Sequence, residues 1–326
     1  MAELSNQLLP VAVLAYLAAM MLYLMEYAFG GRGAVARTAV RPARELVGAG
    51  VGGSVPPVPE PPQVIVDASP KPAGRAATFG YVAVALTVLG VLAHAGVLVT
   101  RGLAAGRVPW GNMYEFVVAL SLVGAVTWLV LLVARPTLRL LGLFVTLALV
   151  LILGFAGMVL YTKAAPLVPA LNSYWLKIHV SAAATASGLL LVAFVPAALF
   201  LIRSGYEKGK RGFPYTIGEK LPAAEGLERL TFRLHAFAFP IWTFAVICGA
   251  IWAEAAWGRY WGWDPKEVWS FISWVAYAAY LHARATPSVK RTTATWFAVA
   301  AWGTMLINLY VINFVAVGLH SYAGVE

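Results

Sequence analysis

Cysteine is almost absent from this chain of 326 residues, where Cys248 is the only one. A single thiol inside an apolar run excludes both a disulfide framework and a thiol redox pair, which leaves core packing as its expected role. Cys-x-x-Cys-His is missing as well, so the chain is not itself a c-type cytochrome. Charge is scarce at 12% of residues, and acids are scarcer than bases, with 14 Asp and Glu against 24 Lys and Arg. No repeat of fixed period is visible, and no loop is long enough for a separate soluble domain. A basic region ahead of the first apolar run is lacking too. That run, about Leu8 to Phe29, therefore reads as a retained first helix and not a cleaved signal.

What is present is apolar. Hydrophobic residues make up 61% of the chain and the mean hydropathy is +0.77. Further runs lie at about 78–100, 113–134, 138–160, 174–202, 231–253, 267–285 and 293–317. They are too long for barrel strands, and hydrocarbon offers no partner for backbone polar groups, so the spans must be helices. The expectation is an all-α, polytopic integral membrane bundle of about eight transmembrane helices. Residues 1–29 form the first helix, 30–77 a Pro/Arg-rich linker with Pro56, Pro57, Pro59, Pro61 and Pro62 at its centre, and 78–326 the main membrane domain. One set of alternate loops carries 18 of the Lys and Arg and the other carries 6. The positive-inside rule makes the first set cytoplasmic, which puts both termini on the outer side. The net charge of +10 is thus spent on sidedness and membrane lipid, and no nucleic acid is expected. The basic residues of 203–229 either contact anionic headgroups or only set orientation.

Six of the twelve tryptophans fall between 252 and 274: Trp252, Trp257, Trp261, Trp263, Trp269 and Trp274. One or two would read as an interfacial belt. Six, followed by Asp264, Pro265, Lys266 and Glu267, read as a flat aromatic platform for a large planar ligand with polar edges from Arg259, Asp264 and Lys266. Haem fits that description. Among the five histidines, His179 begins the fifth span and His320 follows the eighth, so the topology brings both to the level of this external segment. Two neutral imidazoles on opposite faces are what axial ligation of haem iron needs. His282, fifteen residues beyond Glu267, is roughly 22 Å away along a helix and must serve a different site. His94 and His235 read as structural.

The run Trp-Gly-Arg-Tyr-Trp-Gly-Trp-Asp-Pro-Lys-Glu-Val-Trp from Trp257, with Tyr280-Leu-His-Ala-Arg284 and Gly318-Leu-His-Ser-Tyr322, closely resembles the cytochrome c assembly proteins of the CcsA (ResC) family. These form part of the tryptophan-rich WWD haem-handling group of the System II pathway. The resemblance covers roughly 75–326. It implies haem b as cargo, with His179 and His320 as external iron ligands and His282 as ligand to a second haem whose other ligand comes from a ResB-like membrane partner. It also implies an apocytochrome c with Cys-x-x-Cys-His as substrate, a thiol-reducing thioredoxin-like protein as a further partner, and a bacterial cytoplasmic membrane as location. The expected role is a component of a holocytochrome c synthase (haem lyase) complex that uses no acid, base or nucleophile side chain.

Arg107-Val-Pro-Trp-Gly-Asn-Met-Tyr-Glu-Phe116 is similar to the family's Pro-x-x-Asn-x-Tyr-Glu element. It either lines the haem edge or receives a partner, or else caps a helix through Asn112 and adds aromatics to the interfacial belt. Arg259, Lys266 and Lys177 are candidates for holding haem propionates. Asp264 would repel a propionate, and its expected roles are to order the loop and cap the helix that starts at Pro265. Asn308 and Asn313 are expected to bond between helices. Two other classes stand beside this reading: a b-type cytochrome that carries electrons to or from quinone, and a haem exporter with no role in attachment.

Overall fold

The computed structural model describes residues 1–30, 75–167, 171–316 and 318–320. The linker expected at 30–77 therefore falls almost wholly outside the described residues. The elements are α1 (Ala2–Phe29), α2 (Arg75–Ala105), α3 (Met113–Ala134), α4 (Gly142–Val159), α5 (Tyr174–Glu207), α6 (Ala224–Trp257), α7 (Pro265–Ala285), α8 (Arg291–Leu306) and α9 (Ile312–Val315). Short 3₁₀ turns, Pro136–Leu141 and Tyr215–Lys220, precede α4 and α6, and a π-helical turn, Ile307–Val311, joins α8 to α9 in one rod. The described residues contain no strand.

Seven segments are long and apolar enough to cross a membrane, and the eighth expected span, α7, does not reach that apolarity. Its inner face explains the difference. Ser273, Tyr277 and Tyr280 are buried. Asn308 Nδ2 donates to Ser270 Oγ at 3.0 Å, and Thr304 Oγ1 donates to Ser273 Oγ at 3.0 Å. The Ser270 and Ser273 hydroxyls, bonded across the seam to Asn308 and Thr304, lower the hydropathy of α7 while their polar atoms are matched. Phe271, Ile272 and Val275 are exposed.

α5 is the central helix: 72% of its apolar window is buried, against 50% or less in the other six. It comes close to α3 at Gly188, where a Cβ would stand 2.5 Å from the Leu120 carbonyl O and 2.7 Å from Val123 Cβ. Small residues let helices touch where lipid gives no hydrophobic drive to association. α1 lies along α2 with Ala12, Tyr16, Ala19 and Tyr23 buried on one face. Polar ties hold the end of the bundle away from the tryptophans. Glu26 pairs with Arg139, Glu228 pairs with Arg284, and Lys220 Nζ donates to the Tyr27 and Ala28 carbonyls at 2.7 and 2.9 Å. The lysine thereby satisfies carbonyls that the end of α1 leaves open.

Two histidines are engaged within this frame, as expected of structural residues. His94 contacts the Tyr16 hydroxyl through Nδ1 at 3.3 Å and the Val118 carbonyl through Nε2 at 2.9 Å. His235 donates from Nδ1 to the Thr231 carbonyl at 2.8 Å and packs against Tyr277 and Tyr280. Cys248 is buried. Asn308 bonds between helices as expected, whereas Asn313 turns back to the Leu309 carbonyl of its own rod.

Candidate functional site

The tryptophan-rich segment closes one end of the bundle, where α3, α5, α6, α7 and the last rod meet around a cavity. α5 enters it under a Ser173 cap, whose hydroxyl accepts from the Trp175 N–H at 3.2 Å. His179 follows in the second turn. Its Nδ1 donates to the Ala245 carbonyl at 2.8 Å. The ring lies so close to α6 that a Cβ at Gly249 would come within 2.7 Å of His179 Cε1. With the proton fixed on Nδ1, the lone pair is on Nε2.

His320 reaches the same cavity from the far end of the chain. Its Nδ1 donates to Asp264 Oδ2 at 2.7 Å, while the Leu319 N–H donates to Asp264 Oδ1 at 2.6 Å. The same carboxylate caps α7 by accepting from the Lys266 N–H at 3.3 Å, and Glu267 completes a capping box. Asp264 thus orders the loop as expected. Sequence reasoning missed that it also seats the histidine 56 positions away. Burial pushes the Asp264 carboxyl upward, but the bonds from His320 and the Leu319 amide outweigh burial and hold it below its ordinary value. A histidine with one ring nitrogen tied to a carboxylate has its orientation and its lone-pair nitrogen set in advance.

Both imidazoles border the Trp252 indole. His179 is parallel to it, with 6.1 Å between centroids and 8° between planes. His320 meets it edge-on at 5.8 Å and meets Trp257 at 5.0 Å. Trp252 and Trp257 pack together at 4.8 Å. Trp252, Trp257, Trp261 and Lys266 line the cavity. Trp263, Trp269 and Arg259 do not border it. Arg259 is committed to Glu267 at 3.2 Å, and the exposed Lys177 borders a shallow groove beside α5 and α6 instead. Trp263 is 70% exposed, with a φ of +60° that side chains other than glycine rarely adopt. Glu267 Oε2 holds that turn by accepting the N–H groups on either side, from Gly262 at 2.8 Å and Asp264 at 3.0 Å. His282 is exposed at the opposite end of α7 and belongs to no part of this cavity.

The loop before α3 supplies Trp110 to the cavity wall, and its Asn112 side chain caps α3 by accepting from the Glu115 N–H at 2.9 Å. Glu115, fully buried, pairs with Arg101 at 2.8 Å and Arg107 at 2.7 Å and accepts the Gly111 N–H at 2.7 Å. The element thus caps α3 and also borders the cavity. Sequence reasoning did not foresee the floor formed by Trp242, Trp302, Met305 and Phe116. These residues sit in apolar helices where any such side chain is ordinary.

The pattern described as "Cytochrome C assembly protein" matches residues 110–320, a segment that opens at Trp110 and closes at His320. This chain belongs to the cytochrome c assembly protein family. Within it, the chain is 34% identical over 258 residues to a cytochrome c biogenesis protein CcsA from Guillardia theta, covering 74% of this chain and 85% of the relative. A CcsA from Gloeobacter violaceus is 32% identical over 291 residues, covering 72% and 84%, and one from Hordeum vulgare is 33% identical over 267 residues, covering 70% and 81%. The cytochrome c haem lyase CcmF is similar in structure, with a TM-score of 0.55 at 18% identity over 95% of this chain and 46% of that one. The CcsA-type membrane bundle expected from the WWD run is therefore the fold of this assembly protein.

Proposed function

We propose that this chain handles haem for covalent attachment to apocytochrome c in cytochrome c biogenesis, and that its cavity presents haem b at the outer face of the membrane. One observation carries the site: His179 near the start of α5 and His320 at the end of the matched segment come to one tryptophan-lined cavity, each with Nδ1 bonded so that Nε2 bears the lone pair. The donor set suits a porphyrin, since flat indoles offer faces and edges to a planar apolar body, imidazoles suit its iron, and Lys266 offers a cation at the wall. The thioether chemistry belongs to the haem vinyl groups and the thiols of a Cys-x-x-Cys-His segment. This chain orients the substrate, keeps the iron covered by imidazole and limits water around it. Residues 78–326 act as the haem-handling unit, with both termini on the outer side. His282, at the opposite end of α7, serves a second haem shared with a ResB-like partner. A thioredoxin-like protein keeps the apocytochrome thiols reduced, and a bacterial cytoplasmic membrane is the setting. A b-type cytochrome that carries electrons across the bilayer would need paired ligands within the helices. His94 has both ring nitrogens engaged there, which disfavours that class.

The test is the visible spectrum, oxidised and dithionite-reduced, of the detergent-purified chain with its ResB-like partner. His179→Ala and His320→Ala are expected to alter one haem population and His282→Ala another. Spectra that stay unchanged in all three variants sink the ligand assignment.

A further inference from the structure

The cavity wall holds a lysine that makes no ion-pair contact, although the Asp264 carboxylate acts on it through space. From the first turn of α7, Lys266 Nζ reaches the Asn308 carbonyl at 3.5 Å and Met113 Sδ at 3.9 Å. Among the described residues no carboxylate pairs with it. The nearby acids are committed elsewhere: Asp264 to His320 and the Leu319 amide, Glu267 to Arg259, and Glu115 to Arg101 and Arg107. An ammonium beside apolar walls is costly unless an anion joins it. Two more unmatched donors belong to residues that line the same cavity. The indole N–H groups of Trp110 and Trp242 are buried and have no partner. Asn308 Oδ1 is also unpartnered, and a flip of that amide, with the Ser270 hydroxyl donating instead, turns another donor inward. Unmatched donors, a lysine without an ion-pair contact and flat apolar walls together describe a seat for a carboxylate carried on an aromatic body.

We infer that Lys266, supported by the Trp110 and Trp242 indoles, seats a propionate carboxylate of the porphyrin and so fixes which edge of the ring enters first. This rests on the haem reading above. The Asn308 carbonyl that Lys266 reaches lies about two turns before the end of the last rod, so the propionate edge points into the bundle. The opposite, vinyl-bearing edge faces the mouth, where Trp261 and the exposed Tyr260 form the rim and where thiols arrive.

The test titrates the full chain in detergent with iron protoporphyrin IX and with its dimethyl ester, following the Soret band for Kd. The ester keeps the ring, the iron and the vinyls and removes both charges. Wild type is expected to prefer the free acid by about tenfold or more, the worth of a charge-assisted bond. In Lys266→Met that preference falls to within about twofold while ester affinity is retained, and Lys266→Arg restores most of it. Trp242→Phe, which removes the N–H together with the pyrrole part of the ring, narrows the preference partially and serves if Lys266→Met misfolds, with ester affinity reporting the lost packing. Equal affinity of wild type for acid and ester, or full preference in Lys266→Met, overturns the carboxylate seat and leaves the haem reading standing. Binding of neither porphyrin to wild type overturns both.

Discussion

Asp264→Asn isolates what the clamp on His320 contributes. The substitution keeps the shape of the side chain and removes its charge. The carboxylate now meets three donors with two oxygens, His320 Nδ1 at 2.7 Å, the Leu319 N–H at 2.6 Å and the Lys266 N–H at 3.3 Å. An amide offers one oxygen and one NH₂, so a donor faces a donor at one of the two positions. Losing a hydrogen bond to a charged group costs about 1.5–3 kcal/mol. Some N-cap function survives in Asn, which caps as well as Asp. The larger effect is on the imidazole, because loss of a partner that fixes a ligand's orientation typically lowers affinity about 10–100-fold. Haem titration is therefore expected to give a Kd weakened by that factor in Asp264→Asn, with the His320→Ala variant at least as weak. The pH dependence has a definite sign. Asp264 is held below its ordinary 3.8, so the stability it adds is fully present above that pH and is lost only as pH falls through its lower folded value. The difference in thermal midpoint between wild type and Asp264→Asn should thus persist at pH 5 and shrink as pH falls below 3.8. An unchanged haem Kd in Asp264→Asn would refute the clamp, as would a stability difference that vanishes already at pH 5.

Two further expectations concern the scaffold. Glu115→Ala leaves the buried Arg101 and the nearby Arg107 without their shared carboxylate, a loss of about 3–5 kcal/mol, read as a lower unfolding midpoint in detergent. A midpoint within a degree of wild type would mean the two arginines find other partners. Gly188→Val drives a side chain into the Leu120 carbonyl and Val123 and is expected to destabilise by about 1–3 kcal/mol while leaving the Soret maximum of bound haem in place.

The helices were legible because hydrocarbon leaves apolar length as the dominant signal. The run at 113–134 matches α3 end to end, and the 174–202 run begins where α5 begins. α7 was counted as a span from its run at 267–285, yet it falls short of the apolarity of the other seven. The tryptophan segment and the two cavity histidines were visible as density and position. What stayed hidden was pairing over long separations. Asp264 was read as a cap, and local sequence says nothing of its second partner at His320. Glu115 was read as one polar residue in a cluster, without the two arginines that converge on it. Arg259 looked like a free cation, but Glu267, eight residues on, occupies it. Trp263 belongs to the same dense run as Trp261, yet one left-handed residue turns it away from the cavity. A tryptophan count cannot distinguish the two.

The π-helical turn at Ile307–Val311 decides the azimuth of everything after it. An α-helix advances 100° per residue, so one surplus residue in a turn rotates the remainder of the rod by about that angle against an uninterrupted helix. The chain leaves the rod only a few residues later, on its way to Leu319 and His320. In an unbroken rod the same sequence would aim its last stretch at a different neighbour, with Asp264 left facing empty space. Indexing of this kind needs no new side chain. By the same reasoning, deleting one residue within the turn would leave a plain α-helix whose last residues keep their present azimuth, so the C-terminal histidine would still be aimed at Asp264.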